Sequence, residues 1–134
     1  MSDTIQSMKK SLLLVAHGSR REASNDEVRD LTSRVREADD ARFALIDCAF
    51  LELAEPDIPG GIQRLIDAGA TQVTVLPYFL AAGRHVSEDI PDAVSGKQAE
   101  HPDVRIEIAP YLGTSDAIPR LLLTMLADST AAAS

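Results

Sequence analysis

Three side chains in this sequence carry chemistry that could act at one site: two histidines and a glutamate. His17 and His85 are two of only three histidines, and each lies in a loop after an apolar run typical of a buried strand. Imidazole binds cobalt, iron, nickel and zinc, and it also accepts a proton near neutral pH. Glu52 follows another apolar run, and its carboxylate could join them. A metal site and an acid–base site are therefore both open.

Each of these residues also has an ordinary structural explanation. A loop histidine often hydrogen-bonds only to its neighbours, and Glu52 could be a solvated carboxylate or cap the helix predicted to begin near Pro56. Glu55 and Asp57 suit that cap better. The third histidine, His101, lies in a turn-like stretch before a strand, where an exposed histidine needs no special role. We therefore expect no function for His101.

Three arginines flank the candidate ligands and could bind an anionic partner. The formal net charge of −8 would repel a polycarboxylate at long range, so such a ligand would need a local cluster such as Arg20, Arg21 and Arg84. Ion pairs with nearby carboxylates are the alternative use of these arginines. Tyr78 opens an apolar stretch, residues 78–82, that could form a wall for a flat ligand or end a core strand.

The elements that must position these residues alternate between strand and helix. Apolar and β-branched runs predict four strands, at residues 12–16, 43–51, 71–77 and 104–109. Residues recurring at helical intervals predict a helix after each strand. The first carries a capping box at Ser24 and Glu27, and the second ends at Gly69. The last, with N-cap candidates at residues 114–116, has the clearest apolar stripe: Ile118, Leu121, Leu122, Met125 and Leu126.

This alternation predicts an α/β fold, flavodoxin-like, with a four-stranded, mostly parallel sheet and helices on both faces. One domain is expected over residues 12–127, with a flexible tail at 1–11 and a frayed tail at 128–134. Open parallel sheets bind ligands beyond the carboxyl ends of their strands. The candidate ligands all fall at such ends.

Composition narrows the possible partners. The chain is 45% hydrophobic and 25% charged, and no apolar run approaches the roughly 18 residues needed to cross a bilayer. Its acidic balance opposes binding to nucleic acid. No G-x-G-x-x-G or phosphate-loop motif supports a nucleotide. The single cysteine, Cys48, lies in an apolar run and cannot form an internal disulfide, and no leader-type segment precedes the first strand, so we expect a cytoplasmic protein.

Four segments, in this order, resemble the class II chelatases that metallate sirohydrochlorin, particularly the short-form cobaltochelatase. They are LVAHGSR at 14–20, FLELAEP at 50–56, VLPYFL at 75–80, and GRHV at 83–86 followed by DIP at 89–91. The resemblance implies half of a chelatase fold, with His17 and His85 binding the incoming metal and Glu52 as carboxylate partner. It also implies a homodimer, because longer relatives contain two such domains in tandem.

The activity that the resemblance implies is insertion of Co²⁺ or Fe²⁺, with Ni²⁺ also possible, into sirohydrochlorin for cobalamin or siroheme synthesis. The metal would be a substrate, with no tightly bound cofactor, and the arginines could position the carboxylates of the tetrapyrrole. One alternative is a non-catalytic metal or tetrapyrrole carrier with the same pocket. Another is an interaction module without metal, which would be favoured if His17 and His85 lay far apart.

Overall fold

The computed structural model describes residues 9–133, without the side chains of His85 and of residues 128–133. Within this part of the chain, all four strands form one parallel sheet in the order β2-β1-β3-β4. The predicted flavodoxin-like α/β architecture is confirmed. The strands are β1 Lys10–Ala16, β2 Leu45–Phe50, β3 Gln72–Pro77 and β4 Arg105–Ile108.

A helix follows each strand, as the sequence predicted. The segment between β3 and its helix contains a π-helical turn, His85–Asp89, and the segment after β4 contains a short 3-10 turn, Leu112–Thr114. Parallel neighbours require such crossover connections. The helices are α1 Glu22–Ala38, α2 Ile58–Asp67, α3 Ile90–Glu100 and α4 Ala117–Ala133.

Helices cover both faces of β1, which explains its continuous apolar run. Successive side chains of β1 alternate between the two faces, so Leu13 and Val15 pack towards α2 and α3, whereas Leu12 and Leu14 pack towards α1. A fully buried Leu or Val side chain contributes about 1.5–3 kcal/mol to folding. The central strands are thereby held firmly, and the loops at their carboxyl ends start from a rigid support.

The structure alters one expectation about the N-terminus and one about the first helix. Residues 1–8 of the predicted N-terminal tail lie outside the described residues, and β1 already begins at Lys10. The capping box predicted at Ser24 and Glu27 is wrong, because α1 begins at Glu22 and both residues lie inside the helix. Its N-cap, Arg21, makes no side-chain cap hydrogen bond. The loop before α1 is instead held by Asn25, which lies inside the helix, and the capping-box spacing did not reveal this contact.

The cap predictions for α2 are confirmed. Asp57 is the N-cap, and its carboxylate accepts a hydrogen bond of 2.8 Å from the backbone N–H of Gly60. At the other end, Gly69 adopts φ +104°, a left-handed conformation that glycine reaches without strain. Because Asp57 already caps α2, Glu52 is not needed for that task.

Both edge strands are blocked by side chains from neighbouring helices. At β2, the Arg36 guanidinium of α1 donates a 2.8 Å hydrogen bond to the carbonyl of Ile46. At β4, the amide of Gln98 donates to the carbonyl of Val104 and accepts from the N–H of Ile106, at 2.6 and 3.0 Å. Exposed edge groups otherwise invite pairing with another chain. Both edges of the sheet are therefore protected against pairing with another chain.

The last helix differs most from the sequence expectation. The apolar stripe of α4 was predicted to be the clearest in the chain, yet five of its large side chains are between 51% and 67% exposed: Leu121, Leu122, Leu123, Met125 and Leu126. On the face of the sheet that α1 covers, β3 and β4 carry polar residues such as Thr74 and Glu107.

No helix within residues 9–133 combines the length and apolar character that a membrane span requires.

Candidate functional site

The candidate ligands lie in loops at one end of the sheet. His17 follows the last residue of β1 directly, Glu52 comes two residues after β2, and the π-helical turn that begins at His85 follows β3. Because β1 lies between β2 and β3, the His17 loop (residues 17–21) lies between the other two connections. Neighbouring strands are about 4.8 Å apart, so side chains from adjacent loops can meet there.

Two of the three predicted ligands are in contact. Nε2 of His17 lies 3.2 Å from Oε1 of Glu52, and both side chains are about half exposed. The backbone supports this contact, because the N–H of Glu52 donates to the carbonyl of His17 at 3.2 Å. The preceding residue, Leu51, donates in the same way to Ala16 at 3.0 Å. The parallel ladder between β1 and β2 therefore continues into the two loops.

The third predicted ligand, His85, is the first residue of the π-helical turn. Single π-helical turns occur frequently at functional sites. Among the side chains that the structure describes, which do not include that of His85, no three histidine, cysteine or acidic groups cluster closely enough to hold a metal ion. The described part of the site is thus the His17–Glu52 pair.

A buried asparagine that the sequence analysis did not single out holds the His17 loop. Asn25 lies in the second turn of α1 and is 1% exposed. Its Oδ1 accepts from the backbone N–H of Ser19 at 2.9 Å, and its Nδ2 donates to the carbonyl of Ser19 at 2.8 Å. A buried polar residue on the inner face of a predicted helix is the only signal that could have revealed it.

An arginine of the same helix reaches the Glu52 loop (residues 51–56). The guanidinium of Arg29 donates to the carbonyl of Glu55 at 3.2 Å and lies 5.2 Å from the centre of the Phe50 ring. It also donates to Glu22 and Asp26 of α1. Hydrogen bonds from Arg29 and then Asn25 hold the pKa of Glu22 below its usual value. The sequence analysis did not single out Arg29 either.

The Glu52 loop borders two open cavities. The larger, about 610 Å³, is lined by residues that include Glu52, Leu53, Glu55 and Arg64. The smaller, about 210 Å³, lies between the loop, the start of α2 and Asp89 at the end of the π-helical turn. Glu52 lines both. Its side chain is 55% exposed, so the carboxylate is accessible from solution.

The remaining predicted site residues are at the surface. Arg20 and Arg21 are exposed in the His17 loop, and Arg84 is exposed just before the π-helical turn. Nε of Arg84 lies 3.8 Å from Oε2 of Glu88, an exposed pair that contributes little to stability. Tyr78 is 39% exposed and lies beyond the end of β3, where its N–H donates to the carbonyl of Val15.

The described geometry permits two kinds of chemistry. A neutral imidazole and a carboxylate 3.2 Å apart can both bind a divalent cation, because Co²⁺, Fe²⁺ and Ni²⁺ accept nitrogen and oxygen ligands. The same pair can also hold a proton between them. The contact also agrees with the simpler expectation that His17 hydrogen-bonds a neighbouring loop, so its role as a metal ligand stays a prediction. By contrast, His101 contacts Gln63 at 3.0 Å, between α2 and α3.

Several known proteins are similar to this chain in sequence. The sirohydrochlorin cobaltochelatase of Methanococcus maripaludis is 39% identical over 84 residues, which cover 61% of this chain and 56% of that protein. The sirohydrochlorin ferrochelatase of Bacillus subtilis is 27% identical over 121 residues, which cover 90% of this chain and 46% of that protein. The chain thus spans about half the length of these curated relatives.

A solved structure shares both the fold and the size of the described domain. The putative cobalamin biosynthesis protein CbiX from Marinobacter aquaeolei superposes with a TM-score of 0.73 and 31% identity, covering 93% of this chain and 99% of that one. The sequence model of the CbiX family matches residues 11–129. Because this match spans most of the sequence, the chain belongs to the CbiX family.

Proposed function

We propose that this chain is a sirohydrochlorin chelatase that inserts Co²⁺ or Fe²⁺ into its tetrapyrrole substrate. The observation that carries the proposal is the contact between His17 and Glu52 at the carboxyl ends of adjacent strands. His85 is proposed as the third metal ligand, because it opens the turn that follows the next strand. Relatives named as sirohydrochlorin cobaltochelatase and ferrochelatase support this choice of substrate.

Metal insertion makes three demands on such a site. The incoming M²⁺ must lose part of its water shell, two pyrrole N–H protons must leave, and the protein ligands must surrender the ion to the four ring nitrogens. Two imidazoles and a carboxylate bind these metals more weakly than thiolates would. After releasing the ion, His17 would accept one of the two protons, Glu52, 3.2 Å away, would stabilise the resulting imidazolium, and the second proton would pass to solvent.

Substrate binding is proposed for Arg20, Arg21, Arg84 and Tyr78. The three guanidinium groups are exposed around the loops that carry the ligands, so they are available to the carboxylates of an acidic tetrapyrrole. Tyr78 would contact the ring system. We expect Arg84→Ala to weaken tetrapyrrole binding, whereas Arg42→Ala, which removes an exposed arginine after α1, should not. Equal affinities in a fluorescence titration would remove Arg84 from the site.

The decisive experiment is anaerobic spectrophotometry of sirohydrochlorin with Co²⁺, Fe²⁺ or Ni²⁺. Wild-type protein should accelerate metallation over the uncatalysed rate, and His17→Ala, His85→Ala and Glu52→Gln should abolish most of that acceleration. His101→Ala is the matched control, because this histidine contacts Gln63 between α2 and α3. A wild-type rate no faster than the blank, together with retained binding of metal and tetrapyrrole, would instead identify a carrier.

A homodimer is proposed on the basis of the exposed stripe of α4. Large apolar side chains repeat along one side of this helix, for example at Leu122 and Met125, and a contiguous exposed apolar surface marks an interaction site. The solved cobalt complex of SirB from Bacillus subtilis supports a second copy as the partner, since the matched region is 51% of that longer chain, with a TM-score of 0.79 and 27% identity. We also expect a cytoplasmic setting, in keeping with the buried, free Cys48.

A further inference from the structure

Glu52 lies in a loop whose first two residues, Leu51 and Glu52, are bonded through their N–H groups to Ala16 and His17. The Glu52 loop leaves the sheet at Phe50 and returns where the N–H of Phe50 donates to the carbonyl of Pro56 at 2.9 Å. Between these points Leu53 adopts φ +66° and is 54% exposed. A left-handed leucine is strained, and such strain persists only where the surrounding structure enforces it.

Arg29 supplies a contact from outside the loop. One nitrogen of its guanidinium, Nη2, donates to the carbonyl of Glu55, and the group lies over the Phe50 ring from which the loop departs. The other nitrogen, Nη1, is held by Asp26 at 2.9 Å and by Glu22, both on α1. The guanidinium is thus bonded to α1 through Nη1 and to the Glu52 loop through Nη2.

The partner of Glu52 is held by the same helix. Asn25, one helical turn before Arg29, fixes the backbone of Ser19 in the His17 loop through two hydrogen bonds. Residues four apart lie on one face of a helix, so α1 presents both contacts on the same side. In addition to the direct backbone bond between Glu52 and His17, two contacts from one helix therefore hold the loops that carry these residues.

We propose that Arg29 is a positioning residue that holds Glu52 at the distance from His17 that metal binding requires. The inference rests on the proposed function, since it takes these two residues as metal ligands. Arg29 would act only through the loop, by its bond to Glu55 and its contact with Phe50. A lysine could not replace it, because one ammonium group lacks the planar fork that reaches the helix carboxylates and the loop carbonyl together.

The test is a double-mutant cycle read out by Co²⁺ titration of the protein without tetrapyrrole. Arg29→Ala should weaken Co²⁺ affinity about ten- to a hundredfold, as loss of an outer-sphere partner does, and Arg29→Lys should recover only part of it. Arg34→Ala is the matched control, because Arg34 lies on α1 and pairs with Asp30 on its exposed surface. Circular dichroism verifies that each variant is folded.

The cycle separates positioning from general stability. In a Glu52→Ala background, Arg29→Ala should add less than about a twofold change, because the carboxylate it positions is gone. An equal loss in both backgrounds, or an unchanged affinity in Arg29→Ala when Glu52→Ala weakens binding, would overturn this inference alone. If Glu52→Ala left Co²⁺ affinity unchanged, both the inference and the proposed role of Glu52 would fail.

Discussion

Gly18 packs so closely against the backbone of Glu52 that a Cβ atom on residue 18 would lie 1.8 Å from the carbonyl oxygen of Glu52. Its φ of +95° is also a conformation that other residues rarely adopt. Since the adjacent His17 contacts the Glu52 carboxylate, the glycine allows the two loops to approach. Close approach of two backbones is one of the few tasks that glycine alone performs.

Gly18→Ala should therefore separate the two loops. We expect backbone strain to lower the free energy of unfolding by about 1–3 kcal/mol, measured by urea denaturation. If the variant folds, it should also bind Co²⁺ more weakly than the wild type. Gly96→Ala is the matched control, because a Cβ atom there meets nothing within 4 Å in the middle of α3. That change should stabilise the helix by about 0.5–1 kcal/mol. Unaltered stability and affinity in Gly18→Ala would refute the close contact.

The exposed stripe of α4 predicts how the proposed dimer would respond to an added charge. Leu122→Glu or Met125→Glu would place a carboxylate in the proposed dimer interface, and an unpaired charge there is costly. The dimer dissociation constant should rise at least about tenfold, which corresponds to about 1.4 kcal/mol. Light scattering coupled to gel filtration measures it. Thr124→Glu adds the same charge off the stripe and should leave the dimer intact; a wild-type monomer at high concentration would overturn the proposal.

The block on the β4 edge predicts a stability effect. Gln98 donates to Val104 and His101 and accepts from Ile106, so Gln98→Ala leaves three backbone groups without this partner. We expect a loss of about 1–3 kcal/mol in urea denaturation and more aggregation, because the strand edge is opened. Ser95→Ala, at an exposed position of α3, is the control. An equally stable Gln98→Ala variant would show that water replaces the side chain without cost.

An ion pair within α3 predicts a pH dependence of stability. Nζ of the buried Lys97 donates to Glu100 at 2.9 Å, and this hydrogen bond holds the pKa of Glu100 below its ordinary value of 4.5. A carboxyl whose pKa is lowered in the folded state stabilises the protein above its unfolded pKa, and that stabilisation is lost as the pH falls through the folded value. Glu100→Gln should therefore cost stability at neutral pH and progressively less below about pH 4.5.

Chemical denaturation across this pH range measures the effect. Glu27→Gln, which removes an exposed carboxylate from α1, should give a difference from wild type that changes less with pH. If the Glu100→Gln difference stayed constant from neutral pH to pH 3, a pH well below the ordinary pKa of glutamate, the contact with Lys97 would not contribute to acid stability.

Much of the fold could be predicted because its information is local. Short apolar runs and helical periodicity identified all four strands and the helix after each, and strand–helix alternation then implies a parallel sheet. Asp57 and Gly69 marked the ends of α2 by the chemistry of a cap and of positive φ. The capping box at Ser24 failed because a matching spacing does not locate the start of a helix, which here lies earlier, at Glu22.

The candidate site, like the fold, could be predicted only where the information is local. Residue types and their order along the chain indicate which side chains could bind a metal and that each follows a strand, because imidazole and carboxylate chemistry and apolar runs are properties of residues and their neighbours. The contact of His17 with Glu52, the support of their loops by Asn25 and Arg29, and the exposure of the α4 stripe became apparent only in the folded chain. Those contacts depend on strand order and on the approach of segments distant in sequence, which no local pattern encodes.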